Sequence, residues 1–250
     1  MSLHRARARA GRPARPGRLA GVAAIALLAS GCGVAGTDFQ PGAAATVDGG
    51  SLPTGTVDEY ATYFCEALES AAFGDVGAVA RAELKQGVAG NLTRRLAAEQ
   101  FAEEYAVDTG SYYEQVRTQA RESLGDLPED AREALVEVQS SEAYVNDVAL
   151  AAGEEALAAE GDDEPGPDAA QERGNQLFTQ WLADQDVEID PSLGVELAED
   201  GSWVRTDTST SVAGSAMAVV SAGSPVDEAG QPTPGYSEYV DSLPTSQRCG

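Results

Sequence analysis

Histidine is almost missing from this chain. Among 250 residues there is one, His4, and it sits in a basic N-terminal segment; residues 32–250 contain none. That removes Ser-His-Asp triads, Cys-His pairs and histidine metal sites from the body of the protein. Cysteine is scarce as well: Cys32, Cys65 and Cys249 are too few for a thiolate zinc site. No apolar run reaches the ~20 residues that a spanning helix needs. Basic side chains are few, 16 against 41 acidic ones, for a net charge of −25. An acidic surface repels nucleic acid and anionic lipid headgroups, so neither is expected as a partner. What remains for chemistry is carboxylates, hydroxyls and a few lysines or arginines. Those permit a two-carboxylate hydrolase in principle, but with 41 candidates no pair is marked out by sequence. No catalytic residue, cofactor or metal site is predicted, and the chain is read as a non-enzyme.

Residues 1–31 hold six arginines and no acidic residue, followed by the apolar run 19–30 and Gly31-Cys32. This is the layout of an export signal. Leu28-Ala29-Ser30-Gly31-Cys32 resembles a bacterial lipobox, in which the cysteine receives a diacylglycerol thioether before cleavage in front of it. Cys32 is therefore the predicted lipidation site. Two palmitate-type acyl chains give stable anchoring where one is marginal, each buried methylene contributing ~0.8 kcal/mol. An ordinary secretory signal or an uncleaved anchor are the alternatives. Removal of 1–31 leaves ten basic and 41 acidic side chains, a net charge near −31. Lipidation also uses the odd cysteine, leaving Cys65 and Cys249 as a possible disulfide in an oxidising compartment, with two buried free thiols as the other reading.

Residues 32–43 are read as the lipidated cysteine and a flexible Gly-rich tether, and 44–250 as one mainly helical domain. Residues 45–52 predict a short strand and an Asp48-Gly49 turn. Thr56-Val57-Asp58-Glu59 has capping-box form, so a helix is expected from Thr56, with Val57, Tyr60, Ala61, Phe64, Cys65 and Leu68 on its apolar face. A second helix is predicted over 76–105 from the ladder Leu84, Val88, Leu92 and Leu96, with Gly87 and Gly90 marking either close helix contact or a bend. Another capping box, Ser111 to Glu114, predicts a short third helix ending near Gly125. Pro128 opens a fourth helix reaching about Glu160, carried by Leu135, Val138, Val145 and Val148. The acidic loop 161–168 lacks the spacing of a calcium loop and is read as disordered. A fifth helix over 169–184 carries Leu177, Phe178, Trp181 and Leu182 toward the core. Short strands follow at 187–189, 195–197 and 203–205, the last two flanking an Asp200-Gly201 turn. An irregular connection, 221–235, and a helical turn at 237–243 complete the chain. Asn91-Leu92-Thr93 matches a glycosylation acceptor but is read as chance.

Several segments together carry a family resemblance: the lipobox, Ala44-Ala45-Thr46-Val47-Asp48-Gly49 leading to Tyr63-Phe64-Cys65, the stretch from Gln86 to Thr93, and the closing Leu243-Pro244-Thr245-Ser246-Gln247-Arg248-Cys249-Gly250. The chain resembles actinobacterial lipoproteins with a SurA N-terminal-like domain, of the SurA, PrsA and trigger-factor chaperone group. The resemblance implies a helical substrate-binding module bracketed by the first strand and the segment around Asp190-Pro191-Ser192-Leu193-Gly194. Family members more usually have Arg and an aromatic before that glycine, where this chain has Ser192 and Leu193. Many also insert a parvulin prolyl-isomerase domain. Here the corresponding residues, 106–186, read as helices and a loop without histidine, so no isomerase activity is expected. The implied role is a chaperone-like module on the extracytoplasmic face of the membrane, whose helices form an apolar cradle for unfolded or partly folded exported polypeptides. The alternative is a structural or adaptor lipoprotein with one envelope partner.

Overall fold

The computed structural model describes residues 41–70, 72–73, 77–162, 164–198, 203–205 and 234–250. The export signal, Cys32 and most of the tether, the Asp200-Gly201 turn and most of the 221–235 connection lie outside them. As expected from the sequence, the described chain is mainly helical, with short strands toward its two ends.

Strand β1 (Ala43–Val47) is buried throughout and turns at Asp48-Gly49 into β2 (Gly50–Pro53). Both turn residues have positive φ, 42° and 87°, the requirement of the tight two-residue hairpin that an Asp-Gly pair supplies. The other edge of β1 pairs antiparallel with β4 (Val187–Ile189), Ala45 opposite Ile189, so the sheet order is β2-β1-β4. The first strand is thus held by a strand that returns after five helices.

Helix α1 (Thr54–Glu69) leaves β2 without an intervening loop. The capping box expected at Thr56 is not used. Pro53, at φ −67°, ends the strand in extended geometry, and the Thr54 amide donates to the Gly42 carbonyl at 2.9 Å. A backbone acceptor just ahead of β1 therefore takes a helix-start donor. The second correction concerns α2, which runs from Arg81 to Tyr105 and not from residue 76. Val79–Ala80 form strand β3, because the chain end, β7 (Arg248–Cys249), pairs with it antiparallel. Ala106, at φ 54°, closes α2, and the Val107 amide donates back to the Ala102 carbonyl at 3.0 Å, a left-handed stop of Schellman type.

Helix α3 (Ser111–Ser123) is short, α4 (Glu129–Ala159) spans 31 residues, and α5 (Pro167–Ala183) carries its proline in the first turn. The predicted acidic loop is thereby shortened, since Pro167 and Asp168 belong to α5. A 3-10 turn, Pro191–Leu193, leads to the hairpin β5 (Val195–Leu197) and β6 (Trp203–Arg205). The tail forms α6 (Pro234–Ser242), a second 3-10 turn and β7.

Gly87 and Gly90 do not mark a close helix contact. A Cβ at Gly87 meets nothing within 4 Å, and one at Gly90 only Val195, at 3.9 Å. Because α2 runs unbroken through both, Gly87→Ala is expected to stabilise the protein by about 0.5–1 kcal/mol, through the smaller entropy lost on folding. A rise in the thermal midpoint checks this; a fall would mean that position 87 is crowded.

The core begins under the sheet, where Ala44, Ala45, Val57, Val88, Leu92 and Val138 meet. It continues where α2, α4 and α5 enclose Phe101, Val148, Trp181 and Leu182. The predicted aromatic cluster on α5 does face inward. Phe101 makes edge contacts with Phe178 at 5.3 Å and Trp181 at 5.6 Å. A third cluster, Ala67, Ala120, Leu124, Leu135 and Val136, lies under α3. Among the described residues no helix is long and apolar enough to cross a membrane.

Candidate functional site

Of the residues singled out by sequence, the structure brings Cys65 and Cys249 together. Cys65 follows Val57 and Ala61 on the buried face of α1. Cys249 stands in β7 opposite Val79. Their Cα atoms are 4.9 Å apart with the sulfurs in contact, within the span that a disulfide bridges. The surrounding tail is tied down further: the Tyr236 hydroxyl accepts the Ala80 amide at 3.3 Å and donates to Glu83 at 2.5 Å. Tyr236 and Val240 pack on Ala80. Cys32 lies outside the described residues.

A polar seam between α1, α2, α3 and α4 was not anticipated. Its centre is Arg95. The Nε donates to Glu99 at 2.9 Å and Nη2 donates to the Tyr113 hydroxyl at 3.2 Å. The guanidinium also lies 5.6 Å from the Tyr113 ring centre and 4.7 Å from that of Tyr144, cation–π distances to two rings that themselves meet edge-on at 5.2 Å. Burial opposes its charge, but the Tyr113 hydroxyl and the Glu99 carboxylate outweigh that, and its pKa lies above the usual arginine value. At one end of the seam the Tyr60 hydroxyl donates to Glu137 at 2.6 Å. Burial, then the Glu137 acceptor and its negative charge, raise the Tyr60 pKa well above the ordinary tyrosine range.

At the other end the buried Asp147 of α4 accepts the Tyr113 amide at 2.9 Å. This replaces the capping box predicted at Ser111. Ser111 is the first helical residue, Gly110 holds the cap position, and no side chain from α3 itself makes the cap. Asp147 therefore supplies from a neighbouring helix what Ser111 was expected to supply locally. Asp147→Ala is expected to cost about 1–2 kcal/mol, the upper part of the range for a lost cap. Denaturant unfolding of the two proteins measures it, and an unchanged midpoint would show that the contact contributes nothing.

One groove is bounded by three separate elements. Asp48 and Gly50 from the β1–β2 turn, Leu96, Glu99, Gln100, Glu103 and Glu104 from α2, and Trp181 from α5 enclose about 630 Å³. The Trp181 indole donates to Glu104 at 2.6 Å, and Gln100 donates to the Val47 carbonyl at 2.5 Å. Two other shallow grooves follow the polar faces of α5 and α3. Among the described residues, the large apolar side chains that stand exposed are Tyr112 and Val204, and no three metal-capable side chains are grouped. The possible glycosylation acceptor is spent inside α2: Asn91 donates to the Gly87 carbonyl, and the buried Thr93 donates to that of Ala89.

Comparison with protein-family models, with curated proteins and with solved structures returned no match.

Proposed function

We propose that the protein is a lipid-anchored, extracytoplasmic polypeptide-binding protein of chaperone-like type, without prolyl-isomerase or other enzymatic activity. In this reading residues 1–31 direct export, Cys32 carries the lipid, and a Cys65–Cys249 disulfide closes the body. The observation that carries it is the hydrogen bond from the Asp190 amide to the Ala44 carbonyl of β1 at 2.9 Å, next to the β1–β4 pairing, since the resemblance implies a helical module bracketed by the first strand and the segment around Asp190 to Gly194. Fold analogy alone does not establish function, so the reading stands on its test. The adaptor reading draws on a different observation: among the described residues the large apolar side chains that stand exposed are Tyr112 and Val204, and the groove between the β1–β2 turn, α2 and α5 is rimmed with carboxylates. That suits a single basic partner.

Crosslinking in cells separates the two. Lys85 is the only lysine of the chain and is ion-paired with Asp58, so a photoreactive residue at the exposed Tyr112 serves better than an amine reagent. Adducts with many exported proteins support the chaperone-like reading. A single adduct favours the adaptor, and none at all contradicts both.

The anchor has its own prediction. Exchange of residues 1–32 for an ordinary cleavable secretory signal is expected to move the protein from the membrane to the soluble fraction, because the acidic body has no attraction to anionic lipid. A cleaved protein of this form that still sediments with membranes would rule the lipid anchor out.

A further inference from the structure

A holdase needs apolar surface, and among the described residues that surface is covered. One piece of it, around Ala67, Leu135 and Val136, is covered by α3. This helix buries two of its 13 residues, Tyr113 and Ala120, whereas α4 buries fourteen of 31. Its start is fastened by polar contacts: the Arg95 guanidinium against the Tyr113 ring and hydroxyl, and Asp147 on the Tyr113 amide. Its outer face adds the exposed pair of Arg121 with Glu133, which is worth little in water. Glycines flank it at 110 and 125. Shallow burial and few apolar contacts define the elements of a fold that open first. Beneath it lie Phe64, Ala67, Leu135 and Val136, and further along Tyr144.

We propose that α3 is a self-docked cover, and that the α1–α4 strip beneath it is the polypeptide-binding surface. Its occupant is an amphipathic helical segment of a client that takes the place of α3. The cover itself states the chemistry: Tyr113, Ala120 and Leu124 face inward, an aromatic followed by small and branched apolar residues at seven and eleven positions further on, while the opposite face is polar. A narrow stripe of that spacing is how a helix reads a groove. Release of the clasp at Asp147 raises the fraction of open molecules, and apparent affinity rises in proportion.

This inference deepens the polypeptide-binding reading and is tested apart from it. The probe is a fluorescent synthetic peptide copying residues 110–127, titrated into the full chain and into its Asp147→Ala form. The variant is expected to bind it about tenfold more tightly than the unaltered protein. Equal affinity, or no binding by a variant with native circular dichroism, overturns the proposal. Should the variant not fold, hydrogen exchange on the unaltered protein decides: amides of residues 114–123 should exchange about a hundredfold faster than those in the middle of α4. Equal protection would make α3 a fixed part of the core. Peptide binding without any crosslinked client in cells would leave the surface assigned and the chaperone-like reading wrong; clients captured without peptide binding would do the reverse.

Discussion

Gly174→Val is expected to abolish cooperative folding. Helices α4 and α5 cross with backbone against backbone, Ala149 and Gly153 on one facing Ala170 and Gly174 on the other. A Cβ at Gly174 falls inside the van der Waals envelope of the Ala149 carbonyl, and one at Gly153 lies 2.8 Å from the Ala170 carbonyl carbon. Neither obstacle is the end of a flexible side chain. A branched side chain can be accommodated only by driving the helices apart, which also parts Val148 and Ala152 from Trp181 and Leu182. Overpacking costs about 1–3 kcal/mol where side chains can yield, and here the main chain would have to. A loss beyond about 3 kcal/mol is a large share of the 5–15 kcal/mol that holds a typical domain. The check is a comparison of denaturant curves for Gly174→Val and Gly87→Ala, both glycine replacements within helices. The first should lose its transition and the second should shift upward. A well-folded Gly174→Val protein would mean that the two helices do not pack this closely.

Cys249→Ser is expected to lower stability by about 2–5 kcal/mol, and Cys65→Ser by a similar amount. The two cysteines are 184 positions apart, so a bridge between them closes nearly the whole body. In the chain-entropy model a loop of that length restricts the unfolded state by up to about 5 kcal/mol. The folded side matters too. Without the bridge, β7 is held by a two-residue ladder to β3 and by the small cluster of Ala80, Tyr236 and Val240. Loss of the tail would bare Cys65 and the start of α2, so protease cleavage near residue 234 should accompany the loss of stability. A non-reducing peptide map should show Cys65 linked to Cys249. Two alkylatable thiols in protein collected from outside the cytoplasm would remove this staple from the account.

These two cases also mark where sequence was legible and where it was not. Cys65 sits in a three- and four-residue apolar pattern that only one helix face can explain, so its inward direction is readable, and with Cys32 taken as lipidated the cysteine count offers Cys249 as its possible partner. The Asp48-Gly49 turn was readable for the same kind of local reason, because few dipeptides accept two positive φ angles. Glycines inside helices are different. Gly87, Gly90, Gly153 and Gly174 look alike along the chain; Gly87 faces open space, Gly90 has only Val195 at ordinary contact distance, and the last two face a neighbouring backbone. Only the third dimension distinguishes them. The capping boxes at Thr56 and Ser111 have the right local spacing, but both helix starts are satisfied from outside the helix: the Gly42 carbonyl accepts from Thr54 and the Asp147 carboxylate from Tyr113. The opening of α2 is not legible locally because β3 depends on β7, some 170 residues further on. The clasp at Arg95 was invisible because its members come from α2, α3 and α4.

The central claim is that this acidic helical body binds unfolded polypeptide. Its most direct test is light scattering from a denatured, cysteine-free test protein diluted into buffer containing the soluble body exported on a cleavable secretory signal in place of residues 1–32, without reductant so that any Cys65–Cys249 bridge stays intact. Aggregation should be suppressed at comparable molar amounts, and more strongly by the form that also carries Asp147→Ala. Scattering that is unchanged at several-fold excess of both proteins would contradict the claim.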